Sequence, residues 1–160
     1  MGRAVCPGSF DPVTHGHLDI VSRTAGLFDE VVVAVLVNDV KRGMFTPDER
    51  IEMLETAISG LGLDNVAVTS FDGLLVDFCR DHDATVIVKG IRAGSDVDVE
   101  MRMAQMNQHL TGMETLLLPA SPQWSFVASS LVKEVARFGG DVSGLVPSDV
   151  LARLTRRLAE

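Results

Sequence analysis

The chain has 160 residues, with 14 Lys plus Arg against 22 Asp plus Glu and a formal net charge of −8. A hydrophobic fraction of 46% and a mean hydropathy of +0.24 exclude a disordered chain, and the length suits a single domain over residues 1–160 whose core needs no staples. The acidic surplus excludes a general nucleic-acid surface, which needs cations to displace counterions from phosphates. The two cysteines, Cys6 and Cys79, form no CxxC pair, so a zinc ribbon, a thioredoxin-like motif and a disulfide scaffold are not expected. The N-terminus lacks the apolar core of a signal peptide, and the longest apolar runs are too short to span a bilayer. A soluble cytoplasmic protein is the expectation.

Short apolar runs alternate with helical patterns along the chain. Ala4–Cys6 reads as a short strand. A helix over His17–Phe28 would put Leu18, Val21, Ala25 and Phe28 on one face. Val31–Val37 is a continuous apolar run, the mark of a strand buried on both faces. Thr46-Pro47-Asp48-Glu49 starts a helix, with Thr as N-cap, Pro at N1 and Glu at N3, and Ile51, Leu54 and Ile58 form its stripe. Val66–Thr69 is a third strand, Leu74–Cys79 a short helix, and Thr85–Val88 a fourth strand. Ser95 can cap the next helix, with Asp96 and Asp98 in its first turn. Thr115–Leu118 is a fifth strand. Leu131, Val135 and Phe138 form a stripe stopped by Gly139-Gly140, and a last helix from about Pro147 turns Leu151, Leu154 and Leu158 inward. This alternation predicts an α/β fold: a Rossmann-like five-stranded parallel sheet, helices on both faces and a C-terminal helical extension. Ligands of such sheets sit beyond the carboxyl ends of the strands, so motifs that follow strands carry the functional argument.

The common nucleotide signatures GxxxxGK[ST] and GxGxxG are absent from the sequence. Another device follows the first strand, Cys6-Pro7-Gly8-Ser9-Phe10-Asp11-Pro12-Val13-Thr14-His15-Gly16-His17. Its glycines permit close backbone approach, and His17 falls at a helix start, where free N–H groups favour an anion. Taken alone, the segment equally suits a turn-rich loop with a capping histidine. His15 is expected to be solvent-exposed, and His82 and His109 have no comparable context.

Gly8 to His17 resembles the GxFDPxxxGH signature of the nucleotidyltransferase superfamily, with Thr14-His15-Gly16-His17 as T-x-G-H. Further segments narrow the resemblance. Lys41-Arg42-Gly43-Met44-Phe45-Thr46 is similar to the basic segment after the second strand. Val88-Lys89-Gly90-Ile91-Arg92 is similar to the turn after the fourth, and Glu100 with Met103-Ala104-Gln105-Met106-Asn107 to the helix beyond it. Trp124 to Val135 resembles the SFISSS-type motif. In this order, from Gly8 to Val135, the set resembles the bacterial phosphopantetheine adenylyltransferases.

The resemblance implies adenylyl transfer from ATP to 4′-phosphopantetheine by direct attack of the acceptor phosphate on the α-phosphate. It implies that His17 stabilises the transition state, with Lys41 and Arg92 as the other catalytic groups. Ser9, Lys41, Leu75 and Lys89 would then hold the acceptor. Ser9, Phe10, His17, Gly90, Ile91, Arg92, Glu100, Trp124, Ser125, Phe126, Val127, Ala128, Ser129 and Ser130 would hold ATP. Mg²⁺ is expected with ATP, no dedicated protein metal site is expected, and a homohexamer is implied. Partners are the two substrates, with neither nucleic acid nor membrane. Two departures from the pattern stand out: Ala128 where a serine is frequent, and Lys89 where an arginine is frequent, which keeps charge but loses bidentate geometry.

Each residue also has a plainer reading. Lys41 and Arg42 suit a solvated loop, and Lys89 and Arg92 suit surface ion pairs. Glu100 could pair with Arg102, Ser129 and Ser130 could cap a helix, and Met101, Met103 and Met106 could fill core or interface. Two other functions stay open on the residues alone. One is a sister nucleotidyltransferase acting on nicotinate mononucleotide or glycerol phosphate. The other is a nucleotide-binding regulatory module without turnover.

Overall fold

The structure is a computed structural model and describes residues 1–38, 40 and 42–160. Lys41, expected at the acceptor phosphate, lies outside the described residues. Five strands form one parallel sheet: β1 (Arg3–Gly8), β2 (Glu30–Leu36), β3 (Val66–Phe71), β4 (Val86–Ile91) and β5 (Thr115–Pro119). Their spatial order is β3-β2-β1-β4-β5. The chain builds outward from β1 to β3, then returns to the other side of β1 for β4 and β5. The direction of winding therefore switches between β1 and β4, and a crevice opens beyond their carboxyl ends.

The helices are α1 (His15–Ala25), α2 (Pro47–Gly60), α3 (Leu75–Asp81), α4 (Gly94–Thr111), α5 (Ser129–Arg137) and α6 (Ser148–Leu158). On one face of the sheet, Cys6, Val31, Val33 and Val88 pack with Leu18 and Val21 of α1, Met53 and Leu54 of α2, Val132 of α5, and Val150 and Leu154 of α6. On the other, Val5, Val32, Ala34 and Ile87 pack with Phe78 and Cys79 of α3. The valines of β2 alternate between these two cores. That double burial explains why the run carries no polar residue.

The helix starts follow the expected chemistry in α2, where Thr46 and Glu49 form a reciprocal capping box. Elsewhere the structure corrects the sequence reading. α1 starts at His15 with Thr14 as N-cap, so His17 is its third residue. Ala93, not Ser95, is the N-cap of α4. β4 runs through Ile91, so Lys89, Gly90 and Ile91 belong to the strand and Arg92 is the first residue beyond it. The stripe Leu131, Val135 and Phe138 faces outward, with Phe138 83% exposed, while Val132 is the buried residue of α5. His15 is half-buried rather than solvated, its ring 5.3 Å from that of Trp124.

Candidate active site

A cleft of about 650 Å³ opens at the carboxyl ends of β1 and β4. One wall is the loop from Gly8 to Thr14 with the start of α1, and another is Val88 to Arg92. The loop after β2 contributes Asn38, Arg42 and Gly43, and Trp124 to Lys133 close the remaining side. The close approach of these walls depends on glycine. A Cβ at Gly90 would sit 2.8 Å from a side-chain carbon of Ile20, and one at Gly43 would run into the Arg50 guanidinium and the Asp11 carboxylate. Among the described lining residues stand five basic side chains and three carboxylates, so the cleft is locally basic although the chain is acidic.

His17 is half-buried in the cleft wall, and its ring is fixed by its own helix start. The Thr14 backbone N–H donates to Nδ1 at 3.0 Å, while the His17 backbone N–H donates to the Thr14 hydroxyl at 3.3 Å. This is a capping box with histidine in the place of glutamate. Because Nδ1 accepts, the ring proton resides on Nε2 in the neutral form. Burial, then the charges of Arg92 and Lys89, push the His17 pKa down to about 4. At neutral pH the imidazole is therefore an uncharged donor through Nε2–H. The Phe10 ring packs against it in a T-shaped contact, with centroids 5.0 Å apart and planes at 66°.

Lys89 of β4 and Arg92 just beyond it are each paired with a carboxylate on α4. Lys89 Nζ lies 3.3 Å from Glu100 Oε1. Arg92 Nε donates to Asp96 Oδ2 at 2.9 Å, and its Nη1 donates to the Val127 carbonyl at 3.1 Å. Arg92 thus ties β4 to the segment that leads into α5. At the start of α5, Ala128 is the N-cap and supplies no side-chain hydrogen bond to the helix. Its first-turn N–H groups, at a positive helix end, suit an anion. Ser129 Oγ donates to the Pro12 carbonyl at 2.7 Å, which pins this helix start to the loop after β1.

The cleft floor holds a buried ionic hub. Asp11 Oδ1 and Oδ2 accept the backbone N–H of Phe45 and Met44, each at 2.9 Å. Lys133 Nζ reaches Oδ2 at 3.0 Å, and Arg50 Nε lies 3.5 Å from Oδ1. Burial opposes the charge of Asp11, but the two amides and Lys133 outweigh it and hold the carboxyl below the usual range. Cys6 lies at the base of the same cleft, yet burial pushes its thiol up to about 12, so it is no nucleophile at neutral pH.

A cytidylyltransferase-like family model matches residues 5–135 of this chain, which span every wall of the cleft. The chain is 60% identical over 159 residues to a phosphopantetheine adenylyltransferase of a Nocardioides species, covering 99% of each chain. It is 57% identical to one from Streptomyces coelicolor, covering 99% of this chain and 98% of that one. The chain belongs to the phosphopantetheine adenylyltransferase family. A solved structure from Vibrio parahaemolyticus, named for nicotinate-nucleotide adenylyltransferase activity, superposes with a TM-score of 0.70 at 19% identity. It covers 99% of this chain and 95% of its own, and at that identity it shows a shared fold alone.

Of the residues that the family resemblance singled out, the cleft brings together Ser9, Phe10, His17, Lys89, Gly90, Arg92, Glu100, Trp124, Val127, Ala128, Ser129 and Ser130. Leu75, Ile91, Ser125 and Phe126 stand outside its lining. Leu75 packs against the core under α3, Ser125 donates to the Pro122 carbonyl, and Phe126 is largely exposed. Glu100 pairs with Lys89 rather than with Arg102, and Ser129 binds the Pro12 carbonyl rather than capping α5. Among the charged cleft residues that the sequence reading assigned to neither substrate are Asp11, Arg50 and Lys133. Asp11 stands inside the motif that drew attention, but its partners are 39 and 122 positions away in the chain.

Proposed function

We propose that the chain transfers the adenylyl group of ATP to 4′-phosphopantetheine, yielding 3′-dephospho-CoA and pyrophosphate, the penultimate step of coenzyme A synthesis. The observation that carries this reading is identity of 57–60% over the whole chain with proteins named phosphopantetheine adenylyltransferase. The cleft supports it through groups suited to phosphoryl chemistry. An acceptor phosphate oxygen attacks the ATP α-phosphorus in line, and the bond from that phosphorus to the bridging oxygen of pyrophosphate breaks. The leaving group takes the electron pair, and no protein nucleophile is required. Positioning and charge stabilisation then supply the rate.

In this reading the neutral His17 donates Nε2–H to an α-phosphate oxygen as negative charge builds there. Arg92 lies on the nucleotide side, and the N–H groups at the start of α5 receive the departing phosphates. Ser9, Phe10, Gly90, Glu100, Trp124 and Val127 to Ser130 complete the ATP side from the cleft lining, and the family resemblance adds Ile91, Ser125 and Phe126 beside it. Ser9 and Lys89 of the cleft lining serve the acceptor side, where the family resemblance also assigns Lys41 and Leu75. Bound to ATP, Mg²⁺ would supply neutralisation of the triphosphate charge. Among the described residues no cluster of three His, Cys, Asp or Glu side chains could hold it instead.

We further propose one nucleotidyltransferase domain over 1–160, assembled as a homohexamer in the cytoplasm. Exposed apolar residues on α4 and β5 support assembly: Met101, Met103, Met106, Leu110 and Leu116 are all at least 46% exposed. A second exposed apolar stripe on α5 is formed by Leu131, Val135 and Phe138. Two such faces suit a closed assembly with more than one kind of contact. No helix among the described residues is long and apolar enough to cross a membrane.

The test is pyrophosphate release from Mg-ATP with 4′-phosphopantetheine beside nicotinate mononucleotide and glycerol phosphate. Release is expected with 4′-phosphopantetheine and at least 100-fold less with the others. Preferential release with another acceptor moves the chain to that chemistry, and binding of ATP with no release under any acceptor makes it a sensor.

A further inference from the structure

The two residues Met44 and Phe45, which end the loop after β2, have all four of their backbone polar groups taken by charged side chains. Asp11 accepts both N–H groups, Arg50 Nε donates to the Phe45 carbonyl at 2.8 Å, and Arg157 donates to the Met44 carbonyl. Arg157 belongs to α6, close to the C-terminus and outside the cleft lining. It also pairs with Glu49 at the start of α2 and lies over the Phe45 ring, 5.1 Å from the centroid. Phe45 itself is fully buried. A two-residue segment is thus gripped from the cleft by Asp11 and from the far side by α6. A loop of this kind ordinarily bonds to water or its own neighbours. Here its placement is set by three side chains from separate parts of the chain: Asp11 of the loop after β1, Arg50 of α2 and Arg157 of α6.

The neighbouring residues Arg42 and Gly43 line the cleft, and Gly43 has no room for a side chain against Asp11 and Arg50. The nucleotide side is held separately, by Arg92 bound to Val127 and by Ser129 bound to Pro12. We propose that Asp11 and Arg157 are positioning residues for the acceptor: together they fix the loop after β2 against the cleft, and Arg157 does so from outside the site. The inference rests on the reading above, in which this loop serves the acceptor phosphate. Neither residue needs to touch substrate. Both Asp11 oxygens are already occupied, and Arg157 is spent on the loop and Glu49.

The experiment measures kcat and KM for each substrate in Arg157→Met, Asp11→Asn and the double variant. Circular dichroism checks the fold. Arg157→Met is expected to lower kcat/KM for 4′-phosphopantetheine by roughly 10- to 100-fold, the scale of an ångström-sized misplacement, with KM for ATP within threefold of wild type. Asp11→Asn keeps the shape but replaces an acceptor oxygen with a donor, so the same parameter falls at least as far. The double variant should be no more than threefold worse than Asp11→Asn, because both act through one loop. Acceptor kcat/KM within threefold of wild type in Arg157→Met overturns the inference. Equal losses for ATP and acceptor do so too, as do losses that multiply in the double variant. If Asp11→Asn does not fold, Arg157→Met decides alone. A wild-type enzyme that releases no pyrophosphate overturns the reading of the reaction instead, and its result is separate because it needs no variant.

Discussion

His17 owes its chemistry to the two atoms that hold it. A histidine free in solution is half protonated near pH 6.5 and could present either nitrogen. Here the Thr14 amide claims Nδ1, and burial with Arg92 and Lys89 pushes the pKa to about 4. Activity should therefore show no acid limb near pH 6.5 that belongs to this residue. Steady-state rates of wild type between pH 8 and 5.5 check this, and a His17-dependent fall centred near 6.5 would contradict it. The same shift affects stability. Below pH 6.5 the unfolded chain binds a proton that the native chain refuses until about pH 4. Native stability is thus lost through that window, on the order of 1 kcal/mol per pH unit. Denaturant titrations should show wild type losing ground to His17→Gln between pH 6.5 and 4 and the gap holding constant above pH 7.5. At this scale the sequence showed His17, because a glycine-flanked histidine at a helix start is a local signal. Asp11, Arg50 and Lys133 stayed illegible because their contacts join segments far apart in the chain. The ion pair Lys89–Glu100 combines both readings of the sequence, being an ordinary salt bridge and a cleft wall at once.

At the scale of elements, α5 is the least optimised helix start of the site. Its N-cap is Ala128, in extended conformation, with no side-chain acceptor for the first-turn amides. Ala128→Ser should add that acceptor and stabilise the chain by about 1 kcal/mol, raising Tm by roughly 2–4 °C in a thermal melt. An unchanged or lower Tm would mean that the amides are already satisfied or that the hydroxyl is strained. The capping box at Thr46 was legible because cap, proline and glutamate lie within four residues. The orientation of α5 was not. Periodicity points to the stripe Leu131, Val135 and Phe138, which the structure leaves outward. Only packing against α6 and the sheet chooses Val132.

The whole molecule sets a basic cleft in an acidic chain. The parallel sheet was legible from β-α alternation, and with it the expectation of a site beyond the strand ends. The strand order was not, since no local signal says that the chain crosses back over β1 after β3. That crossover creates the switch point where Gly8 to Asp11 faces Lys89 to Arg92. The exposed apolar faces of α4 and α5 would be covered in the proposed assembly. If six copies of this 17.2 kDa chain assemble through α4, Met103→Lys with Met106→Lys should shift the light-scattering mass from six chains to a smaller species. An unchanged hexamer would place the contacts elsewhere.

In the proposed reaction a neutral, pre-aimed His17 stabilises charge at the α-phosphate, in a site that otherwise works by positioning. The most direct measurement compares wild type with His17→Gln in steady-state turnover of Mg-ATP and 4′-phosphopantetheine. The expected kcat is at least 100-fold lower, in the range known for loss of one transition-state donor, with KM for ATP within about threefold. A His17→Gln enzyme with near-normal kcat would contradict it.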